Sequence, residues 1–227
     1  MYGKIKERDQ YETLSEEWVR LNNEKADLLE KIKPSTKERI IYFDESSLKD
    51  IKTGFDNIKV LPDIPFYVER RSFLEYCPPR RHPIPYCIIK NGSKYFFILR
   101  ESGSGEIRLI GKKGMVGGHI GEEDIENGNL NTTIMNGMFR ELEEEAGIKP
   151  SMVKSLELKG AIKSNEGVDA DHLGLVYEIE LYSADGIKAE EEGILKGIWI
   201  DKEKLNEHYE SFESWSKIVY NNILTAI

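Results

Sequence analysis

Cysteine is scarce in this chain. Two residues, Cys77 and Cys87, in 227 exclude a disulfide framework and a cysteine-rich zinc site. Long apolar runs are missing too: none approaches the ~20 residues that a membrane span needs. The opening MYGKIKERDQYE has no apolar leader segment, so a cytoplasmic protein with no membrane partner is expected. Basic charge is also in deficit. Acids number 41 and bases 32, for a formal charge of −9 and a pI of about 5.2. Holding DNA or RNA by general phosphate attraction needs a basic footprint, so no stable nucleic-acid binding is expected. No internal repeat or low-complexity tract is present. Apolar residues make up 39% and charged residues 32%. That is enough for a core, and the charges are too balanced in sign for a disordered polyelectrolyte.

At roughly 100–200 residues per domain, the length allows one domain with an extension. Residues 10–33 read as a helix, with Leu14, Trp18, Leu21, Leu28 and Ile32 on one face and Pro34 as its stop. That face predicts packing on its own domain, or a homodimer through a short coiled coil, in which Lys25 would occupy a seam position. A strand at Arg39–Phe43 and a weak helix at Ser46–Lys52 follow. Residues 1–60 are thus expected to form a mainly helical extension, and 61–227 the main domain. In the main domain, Phe66–Val68 is a short strand. CPPRRHPIP at 77–85 is a loop, and the runs around Asn91-Gly92-Ser93 form a hairpin. A helix spans about Thr133–Ala146. Strands fall at Ser155–Lys163, His172–Tyr182 and Leu195–Ile200, with a helical segment from Lys202 onward. Strands interleaved with helices give an α/β layer fold.

The segment that carries chemistry is GGHIGEEDIENGNLNTTIMNGMFRELEEEAGI, Gly117 to Ile148. Asn131 or Thr132 can cap its helix, and Gly147 can end it. Ile134, Met138 and Leu142 form a core-facing stripe. Glu141, Glu144 and Glu145 stand at i, i+3 and i+4, so they share a face. A solvated acidic face would account for three such carboxylates alone. Following a glycine loop, they also suit a hard divalent cation, since their mutual repulsion is relieved by an ion that takes oxygen ligands. A metal held from one side by carboxylates serves phosphate substrates.

Arg140-Glu141-Leu142-Glu143-Glu144-Glu145-Ala146-Gly147-Ile148 is similar to the second half of the Nudix box, R-E-U-x-E-E-x-G-U, and Gly117-Gly118-His119-Ile120 resembles its glycine start. Ile84-Pro85-Tyr86, His172-Leu173-Gly174 and Glu213-Ser214-Trp215-Ser216 resemble a MutT-related subgroup of predicted phosphoesterases. The resemblance covers about residues 61–227. It implies a Nudix-type α/β/α sandwich with a mixed sheet, bearing the N-terminal helical extension. It also implies a Mg2+-dependent hydrolase, with Mn2+ as the alternative ion, that cleaves a nucleoside diphosphate linked to another moiety. Glu144 and Glu145 would be the main metal ligands, Glu141 a further ligand or the base, and the Gly117 carbonyl would complete the shell. Arg140 would join loop to helix.

One departure stands out. The box has its first Glu eight residues before the Arg, and here that position is Thr132. Extra residues, including Glu122, Glu123, Asp124 and Glu126, enlarge the loop. Glu122 or Glu123 is expected to stand in for the missing acid, with His119 beside the site. Glu122, Glu123 and Glu144 are the expected partners of Arg140. Glu166, Asp169, Asp171, Glu190, Glu191 and Glu192 are candidates for a late-loop acid, and Arg70, Arg71, Arg80 and Arg81 for phosphate contacts. The altered first half of the box also admits a non-catalytic nucleotide-ligand sensor. A prenyl-diphosphate isomerase would need Cys87 at the site. Eleven of the acids lie in 122–126, 141–145 and 190–192. Setting these aside leaves 30 acids against 32 bases, so the acidity is local and does not repel nucleotides globally.

Overall fold

Apolar side chains run almost unbroken through residues 84–89 and 95–99, which demands a sheet covered on both faces. The computed structural model describes residues 3–75, 77, 79–101, 109–165, 169–191 and 195–225. In chain order the elements are α1 (Gly3–Ile32), β1 (Arg39–Asp44), β2 (Gly54–Asp56), β3 (Tyr67–Arg70), α2 (Arg71–Leu74), β4 (Arg80–Asn91), β5 (Lys94–Arg100), β6 (Lys113–Gly114), β7 (Val116–Gly117), α3 (Leu130–Ala146), β8 (Val153–Lys163), β9 (His172–Leu181), β10 (Glu190–Glu191), β11 (Leu195–Asp201), α4 (Leu205–His208) and α5 (Ser214–Val219). The main sheet runs β10-β11-β5-β4-β9-β8-β2. Only its central pair, β4 with β9, is parallel.

Cys87, Ile89, Phe96 and Ile98 point to one face with Leu173, Leu175 and Ile179, where Ile134, Met138, Leu142 and Ala146 of α3 cover them. Ile84, Tyr86, Ile88, Phe97 and Val176 point to the other, covered by Phe212, Trp215, Val219 and Ile223. The expected mixed sheet with a helix layer on each side is therefore present. Among the described residues, no helix is long and apolar enough to cross a membrane.

Three expectations are corrected. Residues 80–85 are strand, not loop. Pro83 and Pro85 are two apart, so their missing N–H groups share one edge of β4. The opposite edge carries the ladder to β9, starting with His82 N–H to the Asp171 carbonyl (2.8 Å). On the prolines' own edge, β1 pairs before them at Arg80 and Arg81, and β7 after them at Tyr86 and Cys87. Neither proline interrupts a bond that is made.

Residues 39–56 share the sheet and core of the residues that follow. β1 pairs with β3 and β4, β2 pairs with β8, and Phe43, Leu48 and Ile51 join the α3-side core. Ser46–Lys52 forms only a short 3-10 turn at Glu45–Leu48.

Helix α1 forms as expected but turns its apolar positions outward. Leu21, Leu28 and Ile32 are 50%, 58% and 81% exposed, and the Leu14 side chain lies outside the described residues. A mixed face docks instead: Ala26 is buried against Ile40, Phe73 and Leu74, Trp18 packs edge-on against Phe73, and polar groups make the remaining contacts. Arg70 binds Asn23 (2.8 Å), Asp27 (3.1 Å) and Glu30 (3.2 Å). Lys25 donates to the Phe73 and Glu75 carbonyls (2.9 and 2.6 Å). Lys25 is thus an anchor to its own domain.

Candidate functional site

Helix α3 starts three residues earlier than its apolar pattern implies. Its cap is Asn129, not Asn131 or Thr132: the Asn129 side chain accepts from the Thr132 N–H at 2.9 Å. Gly147 ends the helix at φ 66°, left-handed as expected. With Ile134, Met138 and Leu142 fully buried, the 3.6-residue period turns Glu141 and Glu145 toward the loop that follows β7. Glu144 stays largely exposed. Glu141 and Glu145 line a cavity of about 360 Å³ together with Gly117, Gly118 and His119.

The two glycines are dictated by close approach. A Cβ on Gly118 would fall on the Glu141 carboxylate, and one on Gly117 would sit 2.6 Å from the Pro85 carbonyl oxygen. Loop and helix therefore meet with no side chain between them. Glu145 also accepts a hydrogen bond from the Gly117 backbone.

Burial, then the charge of Glu141, pushes the Glu145 carboxyl up to about 7, against the lowering by Arg100 and the Gly117 backbone. Glu141 is raised as well, chiefly by burial and in spite of its bond to Arg140. Two adjacent carboxylates so disfavoured as anions form an all-oxygen acceptor set that a bound cation would stabilise.

Arg140 is the brace of the site. It makes a two-pronged bond to Asp124 (3.1 and 2.9 Å) and donates to the His119 carbonyl (2.9 Å). It further binds Glu141 (2.8 Å) and Glu144 (3.3 Å). This corrects the expected stand-in for the missing acid. Glu122 turns away to Arg39 (2.8 Å), and exposed Glu123 stands 4.0 Å from Arg140. Asp124 is buried and also accepts from the Gly121 N–H (2.8 Å). The enlarged loop thus delivers a carboxylate to Arg140 from sixteen residues upstream instead of eight.

Of the late-loop acids, Asp169 lines the cavity and is bonded to Ser214 (3.2 Å). Asp171 is buried and faces His172 (2.7 Å). Glu166 and Glu192, and the side chains of Glu190 and Glu191, lie outside the described residues. Glu213 lines the cavity too, although nothing in its spacing marked it as an acid of the site. It accepts from Tyr86 Oη at 2.5 Å, and Tyr86 also meets Ser216 (2.6 Å) and the Met115 N–H (3.2 Å).

The four arginines expected as phosphate contacts are mostly structural. Arg70 holds α1. Arg80 lies over the Trp18, Tyr42 and Phe73 rings. Arg81 is buried against Glu45 and Asn165. Only Arg71 lines the cavity, already paired with Glu38 and Glu75. Arg100, unnoticed in the sequence, lines it as well, and its buried Nε has no hydrogen-bond partner among the described residues. Cys87 is 1% exposed in the α3-side core, where burial holds its thiol protonated, and no cysteine lines the cavity among the described residues.

A mixed sheet between helix layers, with a glycine loop against a carboxylate-bearing helix, is the Nudix fold. The crystal structure of Tm1382, assigned as a Nudix hydrolase, superposes with a TM-score of 0.65, covering 84% of this chain and all of that one at 23% identity. A NUDIX-family hydrolase from Clostridium perfringens superposes less closely, at TM-score 0.43 and 17% identity over 64% of this chain and 97% of that one. No family model matches the chain. Protein YmaB of Bacillus subtilis is 30% identical over 155 residues, 66% of this chain and 74% of YmaB. The chain belongs to the same family as YmaB, and it is built on the Nudix fold.

Proposed function

We propose that this protein is a Mg2+-dependent hydrolase of nucleoside diphosphates linked to a further group, with Mn2+ as the alternative ion. The observation that carries this reading is the pair Glu141 and Glu145, half-buried in the lining of one cavity and both disfavoured as anions. The donor set is all oxygen, which fits a hard divalent ion. Glu141, Glu144, Glu145 and the Gly117 carbonyl would hold it. When bound, the ion neutralises charge on the phosphoryl group and eases deprotonation of water.

The chain's own residues supply the rest. Arg140 fixes Glu141 and Glu144 relative to the loop through Asp124 and the His119 carbonyl. Glu141 is the candidate to take the proton of the attacking water. Arg100 presents a fixed cation toward the phosphates, with geometry suited to their oxygens. Asp124 answers the feature that favoured a non-catalytic sensor, because it restores the partner of Arg140 despite the altered box.

The test is a screen of nucleoside triphosphates, dinucleoside polyphosphates, nucleotide sugars and dinucleotide cofactors, with Mg2+ or Mn2+ and product analysis. Metal-dependent cleavage at a diphosphate, lost in Glu144→Gln, is expected. Binding without turnover would return the sensor reading. Full activity of Glu144→Gln at saturating Mg2+ would overturn the residue assignment.

A further inference from the structure

Three of the chain's four histidines meet at the cavity wall, outside the carboxylate set. His82 and His172 are directly opposite one another in the parallel β4–β9 pair, so their side chains emerge on the same face. His119 arrives from the glycine loop. Ring centroids are 4.8 Å apart for His82 and His172, and 5.4 Å for each pair that includes His119. One ring nitrogen from each histidine lies within 4.8 Å of the other two.

We propose that His82, His119 and His172 form a second metal site, with nitrogen ligands, for a divalent ion of the zinc class. His82 Nδ1 and His119 Nε2 are 3.4 Å apart. That is long for a hydrogen bond. For this pair it matches the edge of a tetrahedron with zinc–nitrogen bonds of roughly 2.0–2.1 Å, and the wider separations in the cluster, up to 4.8 Å, must close on binding. His82 is fully buried, with its Nδ1 turned toward His119. His172 Nδ1 faces the Asp171 carboxylate at 2.7 Å. A carboxylate this close favours the proton on Nδ1 by its charge and leaves the Nε2 lone pair for a metal.

Burial keeps the cluster ready to bind. A buried ring such as His82 favours the neutral state, which is the ligand form. Three imidazole ligands suit zinc and disfavour magnesium or calcium, which take oxygen. The site is therefore chemically separate from Glu141, Glu144 and Glu145. Because His119 and His172 line the cavity, the fourth position opens there, to water or to an oxygen of an anionic ligand.

The experiment uses the full chain, stripped with a chelator and then titrated with Zn2+ in excess Mg2+. Calorimetry, metal analysis and the visible spectrum of the Co2+ form are the readouts. One Zn2+ per chain is expected, retained in Glu145→Gln. His172→Gln should weaken it more than about 10-fold, and Asp171→Asn by about 10-fold. The Co2+ form should absorb intensely, as tetrahedral cobalt does, and that readout stands even where a histidine variant fails to fold. Absence of stoichiometric zinc overturns the proposal. So does zinc lost in Glu145→Gln but kept in His172→Gln, or a weak, octahedral-type Co2+ spectrum.

Discussion

Replacing Glu145 by Gln should stabilise the protein when metal is withheld. In the folded chain the Glu145 carboxyl is pushed from 4.5 up to about 7, first by burial and then by Glu141. At ~1.4 kcal/mol per pH unit, ionising it in place costs about 3 kcal/mol. The folded state holds this proton more tightly than the unfolded state does. Between pH 4.5 and 7 the folded chain therefore binds more protons, and stability falls as pH rises through that window. Glutamine cannot ionise and escapes the loss. Melting of the chelator-treated chain should show Glu145→Gln close to wild type near the bottom of the window. At about pH 8 the variant should be more stable by up to about 3 kcal/mol, or roughly 6–12 °C for a chain of this size. Mg2+ at about 1,000 times its Kd should reverse the order, because only the intact carboxylate set gains from the ion, by about 4.1 kcal/mol, more than the deficit of about 3. Parallel melting curves for the two proteins across the pH range would refute this account of the carboxylates.

Two further substitutions probe the loop–helix junction. Asp124→Asn removes the charge from the two-pronged partner of Arg140, whose side chain is 27% exposed, so solvent screens part of the effect. A loss of about 1–3 kcal/mol in urea unfolding is expected, together with weaker Mg2+ stabilisation, whereas Glu122→Gln should change neither. Gly118→Ala places a methyl where the Glu141 carboxylate lies. That carboxylate is the far end of a flexible side chain, so the fold should survive while Mg2+-dependent activity drops at least about 10-fold; an unchanged rate would mean that the position of Glu141 does not matter.

The legible parts of the fold were those set by short-range periodicity. The α3 stripe, the hairpin at Asn91–Lys94 and strands β8, β9 and β11 followed from spacing along the chain. The illegible parts depend on what lies across a gap. The prolines of β4 read as a loop because a sequence does not show which edge of a strand is unpaired. The outward turn of Leu21, Leu28 and Ile32 was unreadable because burial depends on the facing surface: the apolar patch there, Phe73 and Leu74, takes Ala26 and Trp18, while Arg70 and backbone carbonyls take Asn23 and Lys25.

The site divides along the same line. Glu141, Glu144 and Glu145 were legible because a helix converts spacing of three and four into one direction. Asp124 was not, since a loop has no fixed period; a carboxylate sixteen residues from its arginine looked like surface charge until the loop folded back. The histidines show the limit most sharply. His82, His119 and His172 are separated by 37 and 53 residues, and no local rule joins them. Their meeting is fixed by one register, His82 opposite His172, and by a glycine loop short of side chains that can reach both. A slip of one residue between β4 and β9 would turn His82 and His172 to opposite faces. The histidine cluster is therefore a consequence of strand pairing, and a chain that conserved every residue of the carboxylate helix could still lack it.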